Sequence, residues 1–314
     1  MIKPIERILH SFLLLVFIGA SGSIVYYIKS TPAEPSLRPA ETQTSIPATR
    51  LMAPTVIPAA TRPPTLVPTP VPSLPPAVAP ASEAEAGWSL LQPGLERRVM
   101  RVYNEQNQQI ESLYIWRLDQ RHFRLDVTHA ERPKTLDTWQ KETNAAIVVN
   151  GGYFSINGER YIPDGLTVVN GQASGRSFEG FGGMLAIQAG RAELRWLVEK
   201  PYNPTESLQA ALQAFPILVE PGGRLGFPIE RDNHARARRT VIAQDKEGRI
   251  LFLLAPNGYF TLHQLSVYLT ESDLNLDIAL NLDGGGSTGI LVANPREMIS
   301  PGTLLPFVIL VYPR

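Results

Sequence analysis

Proline content divides this chain into parts that must fold differently. Half of its 28 prolines lie in residues 31–86, where most other residues are Ala, Thr, Val and Ser. Proline fixes φ and removes a hydrogen-bond donor, so this segment cannot build a packed core. We expect it to be a disordered, Pro-rich linker that spans up to roughly 170 Å at about 3.1 Å per residue. A proline-rich ligand for a peptide-binding module is the alternative.

An uncharged run of 21 residues, Ile8–Ile28, precedes the linker. As a helix, this length crosses the hydrocarbon core of a bilayer. Lys3 and Arg7 precede the run and Lys29 follows it, so a slight positive bias keeps the N-terminus in the cytoplasm. We predict that residues 1–30 are a cytoplasmic stub and a single-pass transmembrane anchor. A cleaved signal peptide is the alternative, and either segment would export the domain that follows.

Charge and cysteine content narrow the class of function. The formal net charge is zero, with 29 basic and 29 acidic residues, and the sequence has no basic stripe. A nucleic-acid-binding protein needs such a positive surface, so we predict no nucleic-acid partner. The chain has no cysteine, which excludes disulfides and thiolate metal sites.

Residues 87–314 have the pattern of one packed domain, with short apolar runs separated by Gly, Pro, Asn and Asp. Strands dominate and do not alternate regularly with helices. We therefore predict an α+β fold, a single domain around a mixed, largely antiparallel sheet with a few packed helices. The predicted helices are Leu136–Thr143, Ser207–Phe215 and Leu262–Thr270, the last with a Thr261–Gln264 capping box. The predicted strands are 98–103, 112–118, 123–128, 146–150, 166–169, 184–187, 193–197, 240–244, 250–254, 278–282, 289–292 and 307–312.

A glycine-containing turn follows the apolar run 145–149 and is the first candidate for a functional segment. It comprises Asn150, Gly151, Gly152 and Tyr153. Adjacent glycines permit positive φ and let a ligand approach the backbone closely, while Asn150 can donate to it and accept from it. Tyr153 offers a stacking face for a sugar. An ordinary loop whose aromatic residues fill the core is the alternative.

The second candidate turn lies between two apolar runs near the C-terminus. It contains an acidic residue, three glycines and a hydroxyl, namely Asp283, Gly284, Gly285, Gly286 and Ser287. The glycines expose backbone N–H groups, which together with the Ser287 hydroxyl form a nest for an anionic oxygen. Asp283 would stand beside this nest as a carboxylate for acid, base or electrostatic work. A flexible hairpin in which Asp283 caps the turn is the alternative.

Two further segments carry charges that suit a phosphate-bearing substrate. The basic run at 236–239 leads into a predicted strand, and guanidinium groups bind phosphate bidentately. We choose Arg239 as the inward arginine, since strand alternation places Arg239 and Thr240 on opposite faces. Asp164 enters a hairpin closed by a type I′ turn at 170–171, and it is either a second carboxylate or part of a turn.

Taken in order, four segments of this sequence resemble the phosphodiester glycosidase family. They are NGGYF at 150–154, PDGL at 163–166, RRTVIAQDKEGRILFLL at 238–254 and NLDGGGST at 281–288. The resemblance covers about half of the chain, and NLDGGGS is its most specific part. By this match the family's motif positions fall on Asn150, Gly151, Asp164, Arg239, Asp283, Gly284, Gly285, Gly286 and Ser287.

The resemblance implies hydrolysis of a sugar-1-phosphodiester at the anomeric carbon. Asp283 is then the expected catalytic carboxylate, as nucleophile or as base, and Asp164 is the second. Arg239 and the glycine nest would neutralise the phosphate as the bond breaks. We expect no cofactor; no His-rich ligand set supports a metal, although a divalent ion on the same carboxylates stays open.

The expected substrate is a sugar-1-phosphodiester in an envelope or exopolysaccharide glycan, with N-acetylglucosamine as one candidate sugar. The catalytic domain would act outside the cytoplasm, attached to the cell membrane by its N-terminal helix. Two other functions stay open. One is a non-catalytic module that binds an envelope glycan with the same residues, and the other is a phosphodiesterase that breaks the P–O bond rather than the C–O bond.

Overall fold

The computed structural model describes two short N-terminal strands, β1 (Leu14–Ile18) and β2 (Ile24–Ile28), and residues 87–314 apart from positions 179 and 181. Both strands lie within the apolar run 8–28, for which a membrane-spanning helix is predicted, and they pair with each other. Both are rich in apolar β-branched or aromatic residues, which suit strands. The rest of residues 1–86, including most of the predicted anchor and all of the linker, lies outside the described residues. Among the described residues, no helix is long and apolar enough to cross a bilayer.

The described part of residues 87–314 forms one β-rich domain with two α-helices. The helices are α1 (Leu136–Thr143) and α2 (Leu262–Glu271), and short 3₁₀ turns cover Ile229–Arg231 and Gly285–Ser287. The strands are β3 (Ser89–Gln92), β4 (Leu95–Tyr103), β5 (Gln109–Leu118), β6 (Phe123–Lys134), β7 (Ile147–Asn150), β8 (Phe154–Asn157), β9 (Arg160–Pro163), β10 (Thr167–Val169), β11 (Gln172–Ser174), β12 (Gly183–Gln188), β13 (Arg191–Trp196), β14 (Ala210–Ala214), β15 (Ile217–Glu220), β16 (Arg224–Leu225), β17 (Arg239–Asp245), β18 (Ile250–Ala255), β19 (Leu276–Asn281), β20 (Ile290–Val292), β21 (Glu297–Ile299) and β22 (Leu305–Pro313).

Three sheets and one hairpin organise the domain, whereas the sequence predicts a single sheet. The strand orders are β16-β15-β19-β17-β18-β5-β4-β3, β11-β10-β14-β12-β13 and β21-β20-β7-β22-β6, and β8 pairs with β9. The pairings described within residues 87–314 are antiparallel. A single domain of antiparallel strands with few helices is therefore confirmed, and the number of sheets is corrected.

The main hydrophobic core forms where the apolar faces of the three sheets meet. Its buried side chains include Trp116 from β5, Leu212 from β14 and Ile309 from β22. A second core joins the other face of the eight-stranded sheet to side chains of α2. Strand alternation divides β17 between the two, with Ile242 in the main core and Val241 in the second.

Two of the three predicted helices are confirmed and the third is wrong. Helix α1 has its predicted bounds, and α2 follows the predicted Thr261–Gln264 capping box with both reciprocal hydrogen bonds present. Residues Ser207–Phe215 instead contain strand β14, although Ala, Leu and Gln favour a helix. All five residues of β14 are buried, because neighbouring strands pair with both of its edges and apolar side chains cover both of its faces. Burial overrides helix propensity here.

The predicted type I′ turn is confirmed between β10 and β11. Val169 pairs with Gln172, and the two residues between them, Asn170 and Gly171, have φ values of 51° and 75°. Positive φ at both central positions defines this turn and matches the twist of a two-residue hairpin.

The ends of several strands meet on one side of the sheet that contains β7. Strand β7 ends at Asn150, and its antiparallel partners β20 and β22 begin at Ile290 and Leu305. The loops that precede β20 and β22 therefore lie at the end of the sheet where β7 finishes. The glycine run before β20 is one of these loops.

Candidate active site

Hydrogen bonds between backbone groups join the predicted site segments at this end of the sheet. The Asp283 N–H donates to the Gly151 carbonyl at 3.2 Å, which holds the glycine run against the turn after β7. The Asp164 N–H donates to the Tyr153 carbonyl at 2.8 Å, which holds the turn between β9 and β10 against the same residues. The structure therefore brings both predicted carboxylates to the turn that follows β7.

The Asn150 side chain connects three of the surrounding segments. Its Oδ1 accepts hydrogen bonds from the Thr240 hydroxyl at 2.8 Å and from the Gly289 N–H at 3.1 Å. Its Nδ2 donates to the Asp283 carbonyl at 2.7 Å, and only 1% of the residue is exposed. The sequence predicts that Asn150 contacts the ligand directly. In the structure, the Asn150 amide instead hydrogen-bonds the loop that carries Asp283.

Gly151 and Gly152 permit close packing of the backbone and do not use the positive φ that glycine allows. Neither glycine has a φ in the left-handed region. A Cβ on Gly151 would lie 3.1 Å from the Phe307 backbone, and one on Gly152 would lie 3.0 Å from the Gln213 carbonyl oxygen. Because the neighbouring atoms are backbone, a side chain at either position would push the turn away from strands β14 and β22.

Tyr153, Phe215 and Phe178 form an aromatic wall beside the turn. The Tyr153 ring stacks on Phe215 with 4.5 Å between ring centroids, and Phe178 packs edge-on against Phe215 at 5.6 Å. The Tyr153 hydroxyl donates to the Phe215 carbonyl at 2.9 Å and accepts from Asn281 Nδ2 at 2.7 Å. Tyr153 is thus held in one orientation. Sequence reasoning missed the other two rings, because their contacts depend on the position of β14.

Asp283 has the most perturbed carboxyl group of the site. Its Oδ1 accepts the Gly284 N–H at 2.8 Å, and the Ser287 hydroxyl donates to the carboxylate. Burial raises the pKa of Asp283 from 3.8 to about 6; the two hydrogen bonds oppose this rise, and the charge of Asp164 adds to it. A carboxyl group that titrates near neutral pH can hold or release a proton during a reaction, as a catalytic acid or base must.

Asp164 is the second carboxylate of the site and is half-buried. Burial raises its pKa, and a hydrogen bond from the Ser155 hydroxyl partly opposes the rise. Since its charge raises the pKa of Asp283, the two groups interact electrostatically. Gly165 fixes the turn here, because its φ is +83° and a Cβ would lie 2.6 Å from the Phe178 ring. Sequence reasoning gave no role to Ser155.

The glycine run, residues 284–286, offers fewer backbone donors than the predicted anion nest. Asp283 takes the Gly284 N–H, and the Gly285 N–H donates to the Arg238 carbonyl at 2.8 Å. A Cβ on Gly284 would lie only 2.7 Å from that carbonyl oxygen, and Gly285 has a φ of +55°. Within the described residues, the Gly286 N–H is the one donor of the run without a hydrogen-bond partner, and Gly286 is exposed. One backbone donor is therefore available to an anionic oxygen.

Arg239 lies at the start of β17 and binds loop carbonyls. Its Nε donates to the Phe260 carbonyl at 3.2 Å, and a terminal nitrogen donates to the Ala235 carbonyl at 2.7 Å. The next residue, Thr240, points in the opposite direction and reaches Asn150. The structure thus places Thr240, rather than Arg239, on the face that borders Asn150. A contact between Arg239 and a phosphate stays a prediction.

The surroundings of the two carboxylates determine whether a metal or a nearby cleft belongs to the site. In the part of the chain that the structure describes, no cluster of three or more His, Asp and Glu side chains could hold a metal ion. A cleft of about 660 Å³, lined by Arg124, Asp126 and Glu206 among others, lies near the first residues of β6. None of the candidate site residues on the turn after β7, on the turn between β9 and β10 or in the glycine run lines this cleft. This cleft is therefore not part of the candidate site.

The raised pKa predicts that Asp283 weakens the fold above pH 6. The folded protein keeps the carboxyl proton up to about pH 6, whereas an unfolded chain releases it near 3.8. Between these values the native state binds more protons, so stability falls as pH rises from about 4 to about 6. We expect Asp283→Asn to raise the free energy of unfolding at pH 8 by on the order of 1–3 kcal/mol and to have little effect at pH 4. Urea unfolding at both pH values tests this, and an equal effect at both would contradict it.

The fold and the site together define a class of protein. Two interacting carboxyl groups with raised pKa values, set beside stacked aromatic rings, are typical of enzymes that hydrolyse glycosidic bonds. The sequence profile described as phosphodiester glycosidase matches residues 143–311, more than half of the chain. This protein belongs to the phosphodiester glycosidase family. It is a glycosidase, a hydrolase that acts on phosphodiester-linked sugars.

The chain is similar to solved structures. The catalytic domain of zebrafish N-acetylglucosamine-1-phosphodiester alpha-N-acetylglucosaminidase, auto-inhibited by pro-peptide, is similar with a TM-score of 0.57 and 17% identity, over 76% of this chain and 88% of that chain. A hypothetical protein from Synechocystis has a TM-score of 0.49 and 15% identity, over 71% of this chain and 63% of that chain. No curated protein matches the chain. At 17% identity, the zebrafish domain supports the fold alone.

Proposed function

We propose that the domain hydrolyses the bond between the anomeric carbon and the phosphate of a sugar-1-phosphodiester, with Asp283 as the catalytic carboxylate. The observation that carries the proposal is the raised pKa of Asp283 beside Asp164. Asp283 lies within the NLDGGGST segment, in a chain of a family that acts on phosphodiester-linked sugars. Asp164 serves as the partner carboxyl group.

The proposed reaction breaks the bond between the anomeric carbon and the phosphate oxygen, and the phosphate leaves with the bonding electrons as a phosphomonoester. A water oxygen bonds to the anomeric carbon, and its proton passes to a carboxylate. Asp283 acts either as the base for this water or as a nucleophile that water later displaces. The phosphate leaves with a negative charge, so a hydrogen bond from the N–H of Gly286, an exposed residue, stabilises it as the bond breaks.

The aromatic wall supports a sugar as the group that binds beside Asp283. Tyr153 and Phe215 stack on one side of the turn that holds Asp283 and Asp164. Stacked aromatic rings offer an apolar surface for the C–H groups of a sugar ring. The hydrogen bond from Asn281 to the Tyr153 hydroxyl holds the Tyr153 ring in place. The sugar would therefore lie between the wall and the carboxylates, with the phosphate towards the glycine run.

Hydrolysis of a panel of sugar-1-phosphodiesters by residues 87–314 tests the proposal. N-acetylglucosamine is the first sugar to try, since the similar zebrafish domain is named for that substrate. Release of free sugar together with a phosphomonoester supports the function. Binding of the panel without any product would instead favour a non-catalytic glycan-binding module.

Hydrolysis in ¹⁸O-labelled water decides which bond breaks. Attack at the anomeric carbon places the label in the sugar, whereas attack at phosphorus places it in the phosphate. Mass spectrometry of both products separates these results. Label in the phosphate would replace the glycosidase mechanism with that of a phosphodiesterase.

We expect Asp164→Asn to move the acidic limb of the kcat/KM profile to lower pH. The charge of Asp164 raises the pKa of Asp283, so its removal lowers that pKa and the Asp283 carboxylate forms at lower pH. The measurement is kcat/KM between pH 4 and 8 with the best substrate of the panel. Asp126→Asn is the matched control and should leave the profile unchanged, because the Asp126 charge is not among the causes of the raised pKa of Asp283. If the acidic limb of Asp164→Asn stays in place or moves to higher pH, the charge of Asp164 does not raise the pKa of Asp283.

We also propose that the domain acts outside the cytoplasm on an envelope or exopolysaccharide glycan. The support is in the sequence: the apolar run Ile8–Ile28 with Lys3 and Arg7 before it, and the proline-rich residues 31–86 as a spacer. Protease added to intact cells should remove the domain and leave a membrane-bound N-terminal fragment. Protection of the whole chain would contradict this location.

A further inference from the structure

A groove of about 350 Å³ lies near the glycine run, and the proposed reaction does not yet use it. One wall is β21 with Met298, a second is the loop before β22, and a third is the start of α1. The lining residues are Thr135, Leu136, Asp137, Met298, Ser300, Pro301, Gly302, Thr303 and Leu304.

Contacts between loops connect this groove to the candidate site. The Gly302 N–H donates to the Gly286 carbonyl at 2.7 Å, and a Cβ on Gly286 would lie 3.0 Å from Thr303 Cγ2. Arg238 donates to the Ser300 carbonyl at 2.9 Å and to the Thr288 carbonyl at 3.0 Å. The loop before β22 is thus fixed against the glycine run, and both lie at the end of the sheet where β7 finishes.

The groove is neutral and mixes apolar surface with hydroxyl groups. Met298 and Leu304 are 45% and 49% exposed, which is high for large apolar side chains, and the Ser300 and Thr303 hydroxyls lie between them in sequence. Of the described lining residues, only Asp137 is charged, and it is paired with Arg296 at 2.7 Å. Apolar surface with a few polar groups suits a neutral alcohol such as a sugar or polyol, and the lining residues that the structure describes include no cation to bind a phosphate.

We infer that this groove binds the alcohol esterified to the phosphate, the half of the substrate that leaves with it. The inference rests on the proposed function. The sugar lies between the aromatic wall and Asp283, and the phosphate lies at the Gly286 N–H. The next group along the substrate then reaches the loop that contacts Gly286, where Gly302, Thr303 and Leu304 line the groove.

The test compares two substrates with the same sugar-1-phosphate, one a methyl ester and the other esterified to a hexose. The methyl group is too short to fill the groove. In Met298→Trp and Leu304→Trp, a larger ring fills the groove from two different walls, and both positions are exposed enough to accept it. We expect the ratio of kcat/KM for the hexose ester to that for the methyl ester to fall about ten-fold or more in each variant.

Ser207→Trp in the 660 Å³ cleft is the matched control, because Ser207 is exposed and lines neither the groove nor the candidate site. It should leave both rates and their ratio unchanged. Release of sugar with a ratio that neither groove variant alters would overturn the inference and keep the proposed function. An equal loss for both esters would assign the groove to another part of the substrate and overturn it as well. Absence of sugar release from either ester by the unaltered protein would overturn the proposed function, and with it the inference.

Discussion

Replacing Asp283 with asparagine should reduce kcat for sugar release by about 10³-fold or more, equivalent to about 4 kcal/mol in the barrier. Asparagine keeps the size of the side chain, and its carbonyl can still accept the Gly284 N–H. It cannot take a proton from water or bond to the anomeric carbon as a carboxylate does. The measurement is kcat and KM by release of free sugar, with thermal unfolding of each variant to show that it is folded.

Asp277→Asn is the matched control for this substitution. Asp277 lies on β19, the strand that leads to Asp283, and its carboxylate accepts the Gly222 N–H at 2.8 Å away from the site. Asparagine there can keep this hydrogen bond, so activity should stay close to that of the unaltered protein. A folded Asp283→Asn variant with near-normal kcat would remove Asp283 from the mechanism.

The configuration of the first sugar released separates the two possible roles of Asp283. A nucleophile forms a covalent intermediate and gives retention at the anomeric carbon, whereas a base that activates water gives inversion. Proton NMR during the first minutes of the reaction, before the anomers equilibrate, distinguishes the products. Either result is compatible with the loss of activity expected for Asp283→Asn.

The sequence locates the candidate site because the signals are local. Asp283 and Gly151 each come directly after an apolar run that ends in a polar, glycine-containing turn, and such turns are determined by residues close together in sequence. In the structure both turns lie at one end of the same sheet, as their hydrogen bond shows. The same local reasoning gave the α2 capping box and the turn at 170–171.

The individual roles were harder to predict because they depend on partners that are remote in sequence. The Asn150 amide bonds to Thr240, 90 positions later, so its structural role follows only from the pairing of β7 and β17 with their neighbours. Arg239 turns to the Phe260 carbonyl because the loop before α2 passes over the start of β17. Strand β14 is the clearest case, since its helix-favouring sequence is buried on both faces between β10 and β12.

We expect Asn150→Ala to lower the free energy of unfolding by about 4 kcal/mol. The substitution leaves the Thr240 hydroxyl, the Gly289 N–H and the Asp283 carbonyl without their partner, and the residue is buried. Each unpaired buried polar group costs about 1–3 kcal/mol, and the three effects add only in part. Sugar release should fall as well, because the loop that carries Asp283 loses the side chain that holds it. Urea unfolding at pH 7 gives the first quantity and kcat the second.

Asn157→Ala provides the comparison that isolates this effect. Asn157 is exposed at the end of β8, so its loss should change stability by less than about 0.5 kcal/mol. A destabilisation at Asn150 no larger than that at Asn157 would mean that the loop keeps its place without the amide. Asn150 would then be free to have the direct contact with substrate that its place in the NGGYF motif first suggested. A large loss of stability with unchanged kcat would show that the amide supports the fold without determining the geometry of Asp283.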